Sequence, residues 1–184
     1  TPTNYIYVLA AGTTASYLNT TTNRIENVVE APAVTVEGAV ANIQVAKVGN
    51  DPAEGASAGV AGNVTAGLYT YKLDANGKYL LKKVADDSDA TGTYFTVTSI
   101  NKTITLATDK FANTATKYFV AKENPMTHVW SVTAYTGYAN VAITSPTAVA
   151  IDANKNSVAE IVFVNGGTET GASLGYTYLT GDYD

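Results

Sequence analysis

The chain has 184 residues, no cysteine, a net charge of −5 and only 15% charged residues, well below the roughly 25% usual in a soluble domain. Disulfides, thiolate metal sites and cysteine nucleophiles are thereby excluded, and a single arginine (Arg24) with no basic run argues against nucleic acid as a partner. With 13 tyrosines, 28 threonines and 46% hydrophobic residues, the side chains are those of pleated, half-buried surfaces. The expectation is an all-β protein with little helix. No apolar run approaches the ~20 residues of a membrane-spanning helix, so direct membrane insertion is not expected.

In chain order, Tyr5 to Ala10 alternates weakly and is predicted as a strand. Residues 13 to 23 are mostly Thr, Asn and Ser and read as a loop or an exposed edge, and Arg24 to Glu30 as a strand or a short helical turn. Val34-Thr35-Val36 and Val40 to Val48 are predicted to pair around Glu37-Gly38. Residues 49 to 63, rich in Gly, Ala, Pro and Ser, read as a long loop. Leu68 to Leu73 and Tyr79 to Val84 flank Asp74-Ala75-Asn76-Gly77, whose Asp and Gly supply turn chemistry, so a hairpin is predicted there.

Asp86-Asp87-Ser88-Asp89 is a polar break and is taken as a boundary. It gives an N-terminal β module over 1–88 and a C-terminal one over 89–184. In the second, Thr93 to Thr98 and Thr103 to Leu106 are expected to form a hairpin around Ile100-Asn101-Lys102. Lys117 to Lys122 and His128 to Tyr135 are the next strands. Ala148 to Ile151 and Val158 to Val164 then flank the turn Asp152 to Asn156. No window carries a long 3.6-residue apolar period. The expected architecture is antiparallel sheets forming two small barrel- or sandwich-like modules, with residues 91 to 164 able to close a six-stranded barrel. The Tyr-rich run Tyr176 to Thr180 matches Tyr5 to Leu9. It is read as the same strand of a repeating unit, pairing with either module or belonging to the next repeat.

Candidate sites are sparse. His128 is the only histidine, two residues from Trp130 and so expected on the same strand face. No Gly-x-Ser-x-Gly elbow is read around any serine, and the histidine is read as a surface or packing residue. Glu30, Glu37, Asp152 and Glu160 are the candidate acids for glycoside chemistry, but no spacing singles out a pair. No catalytic residue and no cofactor is expected. Asp152-x-Asn154-x-Asn156 has the alternating oxygen ligands that open a calcium loop. Ser157 stands where that loop needs glycine and Glu160 comes three residues too soon, so a hairpin turn is the plainer reading. Tyr69, Tyr71, Trp130, Tyr135 and Tyr138 are the candidates for stacking on sugars. Rings on one strand face also stabilise a sheet through cross-strand pairs.

Several stretches resemble β-rich repeat regions of Gram-positive cell-surface proteins that carry S-layer homology domains. They are Thr65 to Tyr71, Thr103 to Leu106, Ala134 to Val141, Glu160 to Val164 and Tyr178 to Tyr183. The resemblance implies an extracellular, cell-wall-associated structural module, with no catalytic residues to carry over. Its partners would be neighbouring domains of the same protein and, in the alternative of an adhesive module, cell-wall or host glycans. The start at Thr1-Pro2-Thr3 is read as that of a piece whose targeting and anchoring parts lie elsewhere.

Overall fold

The structure is a computed structural model that describes residues 4–53 and 63–169. The strands are β1 (Tyr5–Val8), β2 (Thr13–Asn19), β3 (Arg24–Thr35), β4 (Val40–Val48), β5 (Asp51–Pro52), β6 (Gly67–Leu73), β7 (Tyr79–Lys83) and β8 (Tyr94–Val97). They continue with β9 (Ile100–Asn101), β10 (Thr105–Ala107), β11 (Lys110–Phe111), β12 (Lys117–Glu123), β13 (Trp130–Thr136), β14 (Ala142–Ile143), β15 (Ala148–Ile151) and β16 (Ile161–Thr168). Short 3-10 turns at Val84–Asp86, Ser88–Ala90 and Tyr138–Asn140 are the only helical pieces among the described residues. The protein is all-β.

The first sheet runs β2-β3-β1-β6-β7-β4-β5, and β3 also pairs with β4. Pairing therefore passes from β1 through β6, β7 and β4 to β3 and back to β1. This rolls the sheet around Ile6, Val8, Val29, Ile43, Val45, Tyr69 and Leu81. The predicted β6–β7 hairpin forms. Asp74 Oδ1 accepts from the amides of Asn76 (2.8 Å) and Lys78 (2.9 Å), and Gly77 adopts a left-handed φ of 76°.

The second sheet is open, in the order β13-β12-β16-β15-β8. The closed barrel envisaged for residues 91 to 164 does not form, because β13 and β8 remain its two edges among the described residues. β4–β7 and β12–β16 are parallel pairs, so both sheets are mixed rather than purely antiparallel. The expected 93–106 hairpin is also replaced. β8 pairs with β15, β9 with β14 and β10 with β11. The amides of Thr98 and Ser99 both bond the Leu106 carbonyl (2.8 and 3.1 Å), which turns the chain sharply after β8. Ile100 is thereby carried under the sheet, into a core with Phe95, Leu106, Tyr118, Val141 and Val162.

A third core lies between the two sheets. Tyr5, Tyr7, Leu9, Val34 and Val36 of the first meet Phe119, Ala121, Ile151, Ile161 and Phe163 of the second. Tyr7 and Phe163 stack with ring centroids 5.3 Å apart and planes 12° apart, and Phe119 adds a tilted contact at 6.0 Å. Tyr5 and Thr93 share a buried hydroxyl–hydroxyl bond of 2.6 Å, and Asn165 Nδ2 donates to the Leu9 carbonyl at 2.8 Å. The strands of the N-terminal half (5–83) and of the C-terminal half (94–168) are thus joined by a common apolar layer. The central strands read Tyr-Ile-Tyr-Val, Tyr-Phe-Val-Ala and Ile-Val-Phe-Val because both of their faces are buried. The Tyr176 to Thr180 run lies outside the described residues.

Candidate functional site

β13 is built by alternation. Trp130 and Val132 turn toward the core between the sheets, and Ser131, Thr133 and Tyr135 toward the opposite face. On that opposite face lies a groove of about 440 Å³. Its polar lining includes Lys122, Ser131, Thr133, Tyr135, Asn140 and Glu169, over a floor that includes Val120 and Val141. Tyr135 stands opposite Tyr118 in the β12–β13 register. Burial pushes the Tyr118 phenol up to about 12, whereas Tyr135 is half-exposed. The groove offers hydroxyls, an amide, an ammonium group, a carboxylate and one ring, a set suited to a polyhydroxylated ligand.

The five candidate rings do not form one surface. Tyr135 borders this groove, and Tyr138 packs against the core beneath it. Trp130 lies on the other face of β13. Tyr69 is 1% exposed inside the rolled sheet, its hydroxyl donating to the Thr65 carbonyl at 2.9 Å, so its ring is not offered to solvent. Tyr71 leans on Tyr79 at 5.0 Å.

His128 is not on a strand with Trp130. Asn124 closes a turn by accepting from the amides of Met126 (2.8 Å) and Thr127 (3.1 Å), and His128 sits in it at φ 58°. Its side chain is 74% exposed, with Nδ1 3.5 Å from Glu123 Oε2. Among the described residues no serine joins them. Contrary to the expectation that no serine has such a setting, Gly55-Ala56-Ser57-Ala58-Gly59 matches the spacing Gly-x-Ser-x-Gly. It lies outside the described residues.

Of the candidate acids, Glu37 and Glu160 both border a cleft of about 810 Å³ between the two halves, with Lys117 and Asn113. Glu30 accepts from Gln44 Nε2 at 2.8 Å. Asp152 is 1% exposed, and its two carboxylate oxygens accept from the amides of Asn156 (3.1 Å) and Ser157 (2.8 Å). Asn156 Oδ1 accepts from the Val158 amide at 3.0 Å. These oxygens are committed to the turn. Among the described residues, no group of three or more His, Asp or Glu side chains is placed to hold a metal ion. In the Asp86–Asp89 run, Asp87 accepts from Thr70 Oγ1 at 2.7 Å and from the Asp89 amide at 3.0 Å. Those bonds hold its carboxyl below the usual range.

Sequence reasoning missed a surface pair. Leu18 and Ile25 face each other across the β2–β3 ribbon and are 52% and 69% exposed. The available signal was two aliphatics at mirrored positions around a polar turn. No family model, curated protein or solved structure matches this chain.

Proposed function

We propose that this chain is a non-catalytic structural module of an extracellular bacterial surface protein, spacing and shielding alongside neighbouring domains of the same protein. The observation that supports this reading most is the shared apolar layer around Tyr7, Phe119 and Phe163. Load applied to one half must disrupt packing that the other half shares. The exposed His128, paired among the described residues with Glu123 at 3.5 Å, and Asp152 tied up in its own turn lend no support to catalysis. The extracellular setting rests on the cysteine-free, Thr- and Tyr-rich composition and on the resemblance of the strand pattern. The test is mechanical. Pulled between handles at Asn4 and Glu169, the chain is expected to give one unfolding event spanning both halves. Two separate events at different forces would end the spacer reading. Protease treatment of intact source cells tests the location, since loss of the module is expected from whole cells without lysis.

A second reading, a carbohydrate-binding or adhesive module, is favoured by the groove beside Tyr135. Saturable binding on a glycan array, lost in Tyr135→Ala with the fold intact, would support it. An array without signal would remove it.

A further inference from the structure

The open sheet has two unequal edges. β8 forms one with four residues. β13 forms the other with seven, Trp-Ser-Val-Thr-Ala-Tyr-Thr, and β12 is its only strand partner among the described residues. The β12–β13 register runs unbroken from Lys117↔Thr136 to Glu123↔Trp130. No bulge twists β13 away, and it holds neither proline nor a charged side chain. Alternate residues of such a strand turn their N–H and C=O groups outward. A flat, uncharged edge of this length is a template for another strand, and folded proteins cover such edges.

A strand-forming segment of the same chain is within reach. β16 runs parallel to β12, and Glu169 just beyond it donates its amide to the Glu123 carbonyl at 2.8 Å. Glu123 stands opposite Trp130, so the chain passes residue 169 at the end of the sheet where β13 begins. A strand added outside β13 lies three strand spacings from β16, roughly 14 Å. Residues 170–175 precede Tyr176-Thr177-Tyr178-Leu179-Thr180, and six extended residues reach about 20 Å. The groove lined by Gly166, Glu169, Lys122, Ser131 and Thr133 crosses from β16 over β12 to β13 and gives those six a path. A glycan held there would compete with them. Tyrosine and threonine suit strands. A segment entering at the Trp130 end runs parallel to β13 and leaves beside Thr136. There Lys117 Nζ donates to Thr136 Oγ1 at 3.0 Å, and Asp182, two residues past Thr180, carries the opposite charge.

We propose that residues 176–180 add to the free edge of β13 as a parallel strand of the same molecule. The tether favours this occupant over a second copy, because it holds the segment at high effective concentration beside the edge. The chain has no cysteine, so Tyr183→Cys gives a unique attachment point for a nitroxide on the full chain. The label is expected to broaden the amide signals of residues 132–136. A mixture of labelled chains with unlabelled, isotope-enriched ones is expected to show no broadening. The double variant Thr177→Pro, Tyr178→Pro removes an N–H from the β13 side whichever of the two residues faces it. In that variant the broadening is expected to vanish, and the outward amides of β13 to exchange roughly tenfold faster or more, with β12 and β16 unchanged. Sharp β13 signals in the labelled chain, or β13 exchange unmoved by the two prolines, would overturn the proposal. Broadening in the mixture would give the edge to a second copy and overturn it equally.

Discussion

Gly38 shows how one residue can govern the contact between the halves. It sits at φ 86° in the β3–β4 turn, where a Cβ would come within 2.6 Å of the Phe119 ring. Gly77 has a similar φ of 76° with nothing within 4 Å of such a Cβ. Both alanine substitutions carry the strain of a left-handed backbone, about 1–2 kcal/mol. Only Gly38→Ala must also displace a packed ring. Urea titrations are expected to show Gly38→Ala destabilising by about 2–4 kcal/mol and Gly77→Ala by less. Equal losses would mean that the turn does not bear on Phe119. Two phenols carry a second prediction. Burial raises Tyr7 and Tyr118 from 10.0 to about 12, so folding favours their neutral forms. Their contribution is complete below pH 10 and is lost as pH rises from 10 toward 12. Absorbance near 295 nm is expected to show part of the tyrosine ionisation delayed into that window and coincident with unfolding. Ionisation complete near pH 10 with the fold intact would contradict the burial.

At the scale of elements, legibility followed locality. The β6–β7 and β15–β16 hairpins were readable because Asp74, Gly77 and Asp152 build their turns from neighbouring residues. β3 was read as two pieces because Pro32 interrupts its pattern, yet Pro32 stands opposite Asn42 in one continuous twelve-residue strand. The two-residue strands β9, β11 and β14 carry no period at all, since their positions are set by cores formed from distant parts of the chain. His128 was misplaced because the capping oxygen of Asn124 outweighed alternation. The groove was half-legible. Alternation in β13 puts Tyr135 on a face with Ser131 and Thr133, but Lys122, Asn140 and Glu169 arrive from other elements. β16 is the element on which packing depends most. Phe163 is fully buried and contacts both Tyr7 and Phe119. Phe163→Ala is expected to cost about 3–5 kcal/mol by urea unfolding. A loss below about 1 kcal/mol would show that the layer between the sheets is not tightly packed.

For the whole molecule, three apolar cores lie in sequence: inside the rolled sheet, between the sheets, and beneath the open sheet. The middle one draws on both halves, and the bonds Tyr5–Thr93 and Asn165–Leu9 cross it. Composition announced the strands and the boundary near residue 88 suggested two modules, but no local pattern could reveal that Tyr7 meets Phe163, 156 positions away. The consequence is cooperative unfolding of the two halves as one unit. Native-state hydrogen exchange tests it most directly, comparing amides of β6 and β16 with the unfolding free energy read from Trp130 fluorescence. One common free energy is expected at all three, lowered equally by Phe163→Ala. A β6 that opens at a distinctly lower free energy than β16, and is unmoved by that substitution, would contradict it.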